Sequence, residues 1–243
     1  MIQHIVLPTS LNLRAHPRAT QDSAILAVMP MGTLVDEIDA SVDRSWLRVR
    51  HDAFEGWMNN LYLLRFDAYM ASPWMRTAIA EFGVAEVAGS KHNPRIQQYL
   101  ATVMGGKTAD ETSWCSAFAK WCVLQQSVQH GNIPDLKKIT SGARSWHTTK
   151  WGNEVTAAAP LGGIVVLWRR RGADEGGATQ ADITGTPQDV LRDGSGGHVG
   201  FLTSPYKPGD TKITLLGGNQ SNQVCKMAFA LGNSYGLLSI RGV

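Results

Sequence analysis

The chain is poor in cysteine, in net charge and in long apolar runs, and each shortage removes a class of protein. Its 243 residues include only three cysteines, Cys115, Cys122 and Cys225, which cannot all pair within one molecule, so a disulfide framework is excluded as the organising principle. If Cys115 and Cys122 share a helix, the 1.5 Å rise per residue sets them about 10 Å apart, beyond disulfide reach. At least one thiol is free. The formal net charge of +3 lacks the basic stripe of a nucleic-acid binder. The longest apolar stretch, residues 157–168, is broken by Pro160, Gly162 and Gly163 and is too short to span a bilayer, so no membrane insertion is expected. There is no HExxH and no paired CxxC, and His4, His16, His51, His92, His130 and His147 show no metal-ligand spacing. Neither a metal nor a cofactor is expected. The opening "MIQHIVLPTS" has no basic region and its apolar run ends at Pro8, a poor match to a secretory leader. A soluble chain made in the cytoplasm is the expectation.

What remains is ample material for a core: 43% hydrophobic and 18% charged residues, enough for one large domain or two small ones. The two parts of the chain differ. From Leu11 to Leu64 short β-like runs alternate with turn residues, most clearly in "SWLRV", where Trp46, Leu47 and Val49 sit among arginines. Closely spaced strands of this kind suggest a small barrel. The blocks "LNLR" with Pro17 following, "MGTLVDEI", "SWLRV" and "GWMNNLYL" resemble the bacterial SH3-like domains, which implies a unit over 1–66 that tethers an enzyme to the cell wall or serves as architecture. Trp46 and Trp57 are assigned to its core pattern.

After a junction near 66–73 the signals become helical. "SPWMRTAIAEFG" places Ser72 as cap, Pro73 at the first helical position and Gly83 at the stop; "NPRIQQYLATVMGG" repeats the design with Asn93 and Pro94. A third helix begins around Cys115, with Thr112 or Ser113 as its cap. "GGIVVLWRR", "GHVGFLT" and "TKITLLGG" read as strands, so helices precede strands, the α+β order. Between the first two of these strands, residues 172–197 form a Gly-, Asp- and Thr-rich segment read as a flap or insertion.

The chemistry concentrates in three places. A thiol in the first turn of a helix is acidified by the unpaired N–H groups and the dipole there, and a neighbouring imidazolium lowers it further. Cys115 occupies such a position. His198 opens a strand in "SGGHVGFLT", flanked by Gly196, Gly197 and Gly200, which leave room for an extended substrate backbone. A third polar group normally orients the imidazole, and "LLGGNQSN" offers Asn219 and Gln220. If His198 pairs near Leu216, same-face parity selects Gly218 and Gln220, while one bulged residue at 217–218 selects Asn219. Both alternatives stand. Cys122 and Cys225, with no base nearby in sequence, read as packing thiols. Trp74 and Trp121 belong to helix faces, and Trp114, beside Cys115, is placed near a substrate groove.

Taken in order, "NPRIQQYL", "DETSWCSAFAKW", "ARSWHTTKWG", "GGIVVLWRR", "GHVGF" and "LLGGNQSN" resemble the papain-like NlpC-type and CHAP cell-wall hydrolases, over residues 74–224. The resemblance implies a catalytic domain over 67–243 with helices packed on an antiparallel sheet. It also implies that Cys115 is the nucleophile, His198 the general base and acid, and Asn219 the orienting group. Trp114, Gly197 and Gln220 are the substrate-side candidates, and the backbone N–H of Cys115 forms part of an oxyanion hole. The substrate it implies is bacterial peptidoglycan, cut at an amide bond of the stem peptide or between glycan and stem. Without a leader, such an enzyme reaches the periplasm or wall through a phage pore, as an endolysin, or through secretion machinery, as an antibacterial effector with an immunity protein as partner. A catalytically dead wall-binding protein and a papain-like acyltransferase are the competing classes. Where the relatives commonly carry Gly-Asp before the strand leading to the histidine, this chain has Gly162-Gly163.

Overall fold

Short alternating strands punctuated by turns build the first unit, Met1–Ala71. The structure, a computed structural model, describes residues 2–89, 91–105, 109–130, 135–169, 196–232 and 234–242, without the side chains of 127–130. Strands β1 (Ile2–Val6), β2 (Ser10–Arg14), β3 (Ile25–Pro30), β4 (Leu34–Ala40), β5 (Trp46–His51), β6 (Phe54–Asn59) and β7 (Leu63–Arg65) form one antiparallel sheet in the order β3-β2-β6-β5-β4-β1-β7. Period-2 alternation sends Val6, Leu13, Val35, Leu47, Val49, Met58 and Leu63 into a single core. Trp46 and Trp57 fall out of phase with that core and are only half-buried, so they do not take the core places expected of them. A short helix, α1 (Phe66–Ala71), packs on β1 and β7 and carries this unit past residue 66 to Ala71.

The second unit, Ser72–Val243, opens with helices α2 (Pro73–Ala80), α3 (Pro94–Met104), α4 (Cys115–His130) and α5 (Ser145–Thr148). Strands β8 (Asn153–Glu154), β9 (Ile164–Arg169), β10 (Gly197–Leu202), β11 (Lys212–Gln220), β12 (Gln223–Ala230) and β13 (Tyr235–Gly242) follow in an antiparallel sheet ordered β12-β11-β10-β9-β13-β8. The architecture is therefore α+β. Three of these strands, β8, β12 and β13, were not foreseen. The proposed flap over 172–197 lies outside the described residues as far as 195. No helix among the described residues is long and apolar enough to cross a membrane.

Local chemistry sets the helix ends. Asn93 accepts from the Arg95 N–H and caps α3, with Pro94 in the first turn and Gly105 in the left-handed region at its end. Ser72 sits in the cap position of α2 in extended conformation, but its hydroxyl makes no capping bond. Asp110 ties the entrance of α3 to the turn before α4: its buried carboxylate accepts from the N–H groups of Val87 and Asn93 and meets the His92 ring at 3.0 Å. Burial pushes its pKa up, but those donors outweigh burial and hold it at about 2.

The sheet buries both faces. Val165, Leu167, Leu202, Ile213, Leu215, Phe229 and Ile240 form a core on one side. On the other, Phe201 meets Phe118 of α4, which joins Tyr99, Trp114 and Trp121 in an aromatic cluster. The cluster is closed by Glu81, which accepts from Tyr99 and, at both oxygens, from Arg95, whose guanidinium lies 4.5 Å over the Trp121 ring. β11 reaches α4 only because Gly218 has no side chain; a Cβ there would lie 2.4 Å from the Trp114 ring and 2.6 Å from Phe118 Cβ.

Two outcomes follow from these contacts. Gly218→Ala should destabilise the protein by about 3 kcal/mol through overpacking, read as a lower midpoint in urea. Because the Asp110 carboxyl is held below its ordinary 3.8, its contribution is present above about pH 4 and fades towards pH 2. Asp110→Asn should therefore be less stable than wild type at pH 7, with the gap closing as pH approaches 2.

Candidate active site

The first turn of α4 is set by Trp114, not by a hydroxyl cap. Its carbonyl accepts the first helical bond, from Phe118 at 2.9 Å, and Cys115 is the first helical residue. Thr112 and Ser113 lie upstream of the cap position expected of one of them. The Trp114 ring is fully buried against Tyr99, Phe118 and the backbone at Gly218, and its indole N–H donates to Glu86 at 2.7 Å. Glu86 is held in turn by pairing of the 83–86 segment with β12, through Glu86 N–H to Asn222 and Val224 N–H to Val84. Trp114 is thus a wedge that seats the helix start; with no surface exposed, it cannot line a groove.

Cys115 is 2% exposed. Burial alone would push its thiol up, yet the net shift is downward: hydrogen bonding to and charge on His198, the Val199 N–H and the Ser113 hydroxyl favour the thiolate. The start of α4 adds its unpaired N–H groups and dipole. All three cysteines are free. Cys122, farther along the same helix and also buried, moves the opposite way, well above the ordinary thiol range, through burial and the Glu81 charge. It is a packing thiol.

His198 stands on β10 opposite Leu167, buried, its ring stacked on Phe229 at 4.8 Å and 27°. Its Nε2 lies 2.9 Å from Gln220 Oε1. The residue brought to the imidazole is therefore Gln220, and Asn219 is not. The strand register explains the outcome. Leu216 pairs with Phe201 rather than lying near His198, so unbroken pairing would bring Asn219 opposite the histidine. Beyond that pairing β11 bulges: its ladder with β12 slips between Gly217 and Gln220, and Asn219 lies in the left-handed region at φ +56°. Asparagine tolerates that conformation better than most residues, and the bulge carries Gln220 into the place of Asn219.

The amide of Gln220 also fixes the histidine tautomer. Its Nε2 donates to the carbonyls of Cys225 at 2.5 Å and Leu215 at 3.3 Å, so Oε1 is the atom turned towards His198. An acceptor there calls for a proton on His198 Nε2, which leaves Nδ1 as the ring nitrogen able to accept one. Gly217 makes room for this arrangement: a Cβ there would stand 2.7 Å from Gln220 Oε1.

The remaining substrate-side candidates fare differently. Gln220 is 1% exposed and committed to His198, so it does not face a substrate. At Gly197 the space is filled: a Cβ would meet the Leu167 carbonyl at 2.9 Å and the Arg144 stem at 3.0 Å. Its missing side chain serves packing, not a substrate backbone. Gly163 has no room for a carboxylate either, with Ile240 Cγ2 2.9 Å from its Cβ position. Sequence reasoning missed Phe229 and Cys225 because β12 was not read as a strand; the alternation of Cys225, Met227 and Phe229 was the available signal. Among the described residues, His92, Asp110 and Glu111 bring potential metal-ligating atoms within 4.8 Å of one another. Asp110 is already bound by two backbone N–H groups and His92, so this cluster reads as a loop staple.

No family model matches the chain, and no curated protein does. Among solved structures it is similar to NlpC2 from Trichomonas vaginalis, with 13% identity over 99% of this chain and 72% of that one at a TM-score of 0.30. It is also similar to NlpC1 from the same organism, with 15% identity over 99% and 69% at a TM-score of 0.29. Superposition at this level assigns neither a family nor an activity.

The geometry separates the two neighbouring amides experimentally. Gln220→Ala should slow alkylation of Cys115 at pH 6 by about tenfold, as the thiolate loses its oriented partner. Asn219→Gly, which keeps the left-handed backbone, should leave that rate near wild type. Peptide-mapped iodoacetamide labelling measures both.

Proposed function

We propose that the second unit is a papain-like cysteine hydrolase that cuts an amide bond of bacterial peptidoglycan. The observation that carries the reading is a buried thiol at a helix start, drawn below its ordinary range and facing a histidine whose far nitrogen is bound by a fixed amide. A thiol placed there for packing alone would be pushed up, as Cys122 is.

In the mechanism we infer, Cys115 Sγ attacks the scissile carbonyl and His198 Nδ1 holds the thiol proton. The oxyanion accepts from the Cys115 backbone N–H at the start of α4. His198 then protonates the leaving amine, which departs and leaves a thioester on Cys115. Water attacks the thioester while His198 takes its proton, and collapse returns free enzyme and a carboxylic acid. Gln220 keeps Nε2 protonated throughout and stabilises the imidazolium.

Peptidoglycan as substrate rests on the sequence blocks around Cys115, His198 and Gln220, which resemble the NlpC-type and CHAP cell-wall hydrolases. The same reading makes the first unit an SH3-like module that holds the enzyme at the wall. It also makes the enzyme an endolysin or a secreted antibacterial effector that acts in the periplasm or wall.

Purified protein should release new amino and carboxyl termini from isolated peptidoglycan, seen as fragment masses. Cys115→Ala should lower the rate by at least about a thousandfold. Equal digestion by both proteins would overturn the reading. Because the thiol is drawn down, alkylation of Cys115 should extend to lower pH than that of free cysteine.

A further inference from the structure

Cys225 plays no part in the chemistry just described, yet it touches the group on which that chemistry depends. It faces Gly217 across the β11–β12 ladder, on the near side of the bulge that carries Asn219 and Gln220. Three contacts run from it to Gln220. Its carbonyl accepts from the Gln220 side-chain Nε2 at 2.5 Å. Its thiol donates to the Gln220 backbone carbonyl at 3.2 Å, and its sulfur lies 4.0 Å from Nε2.

The segment they hold is conformationally demanding. Asn219, Ser221 and Asn222 all have φ between +52° and +60°, each outside the usual range for a side-chain-bearing residue. Ser221 and Asn222 form the two-residue turn between β11 and β12, the positive-φ pair that suits a tight hairpin. Gln220 thus sits between a bulge and a turn, paired across the ladder with Gln223. Apart from Cys225, its side-chain Nε2 is held by the Leu215 carbonyl, at the longer distance of 3.3 Å; with that tie alone the side chain could rotate and present Nε2, a donor, to the histidine.

We propose that Cys225 is a positioning residue: thiol and carbonyl together clasp Gln220 so that Oε1, and not Nε2, faces His198 and keeps the imidazole protonated at Nε2. The proposal rests on the reading of Cys115 and His198 as nucleophile and base. Burial raises the Cys225 thiol above its ordinary range, so it remains protonated and able to donate at neutral pH. A serine at 225 retains a donor on the same backbone; valine keeps the bulk and loses it.

The test uses the full chain and reads Cys115 directly, without substrate. Rates of iodoacetamide labelling at Cys115, resolved by peptide mapping, are followed from pH 4 to 9 in wild type, Cys225→Ser, Cys225→Val and Cys225→Ala. The valine and alanine proteins should label about tenfold more slowly than wild type at pH 6 and converge on it at high pH, while serine restores the wild-type profile. If wild-type protein digests peptidoglycan, the valine variant should lose kcat by a similar factor with KM unchanged. Valine or alanine profiles superimposable on wild type would overturn the proposal. So would serine and valine profiles displaced alike, since that would trace the effect to packing. Imidazole 15N resonances in the Cys115→Ala protein supply a check that needs no change at 225: the neutral ring should carry its proton on Nε2, and a proton on Nδ1 would refute the clasp. Failure of wild type to digest the wall would refute the proposed substrate and leave the labelling test intact.

Discussion

The close approach of β11 to the first turn of α4 is the constraint on which the site depends. It exists because Gly218 presents bare backbone to Trp114 and Phe118, rings that are themselves fully buried against Tyr99 and Phe201. Aromatic burial of this size is the largest apolar contribution a few side chains can make. It seats a helix start, with its unpaired N–H groups, above the ends of β10 and β11. Cys115, His198 and Gln220 meet there because three elements distant in sequence are pressed together at that point. The Glu86 contact to the indole and the Asp110 staple hold the loops that lead into it.

The electrostatics make sense only within that packing. A buried thiol should be neutral, and Cys122 shows the ordinary result on the same helix. Cys115 escapes it through donors and a partner that Cys122 lacks, chiefly His198. The histidine in turn depends on a neutral amide, not on a carboxylate. A buried carboxylate would carry its own desolvation cost, whereas the Gln220 amide is satisfied on both sides, by carbonyls at Nε2 and by the ring at Oε1. The price is rotational ambiguity, because an amide can face its partner with either end. That ambiguity gives the Cys225 contacts a purpose beyond packing.

Much of the second unit was legible in sequence. Proline after Ser72 and Asn93, apolar spacing over 96–103 and the unbroken run at 164–168 located α2, α3 and β9, because each signal is local. In the first unit alternation was plainest in β5, whereas β1 precedes the β-like runs, which were read only from Leu11 onward. β12 and β13 escaped notice: "QVCKMAFA" carries a lysine and two alanines among its apolar positions, which blurs the period-2 pattern. The half-buried Trp46 and Trp57 were misplaced because an aromatic ring in an alternating strand says little about which of two faces is the core.

For the site, sequence by itself determined the chemical types and their order: a cysteine at a helix start, a histidine at a strand start, and adjacent amides at the end of the next strand. Those are local properties, set by turn residues and propensity. Which amide serves the histidine was a tertiary decision. It turned on a register offset and a bulge, and either error alone moves every later side chain to the other face. Trp114 as wedge, Gly197 as a filled contact and Cys225 as a tether likewise follow from what lies across the chain from them. Such neighbours are fixed by long-range packing, to which no stretch of sequence has access.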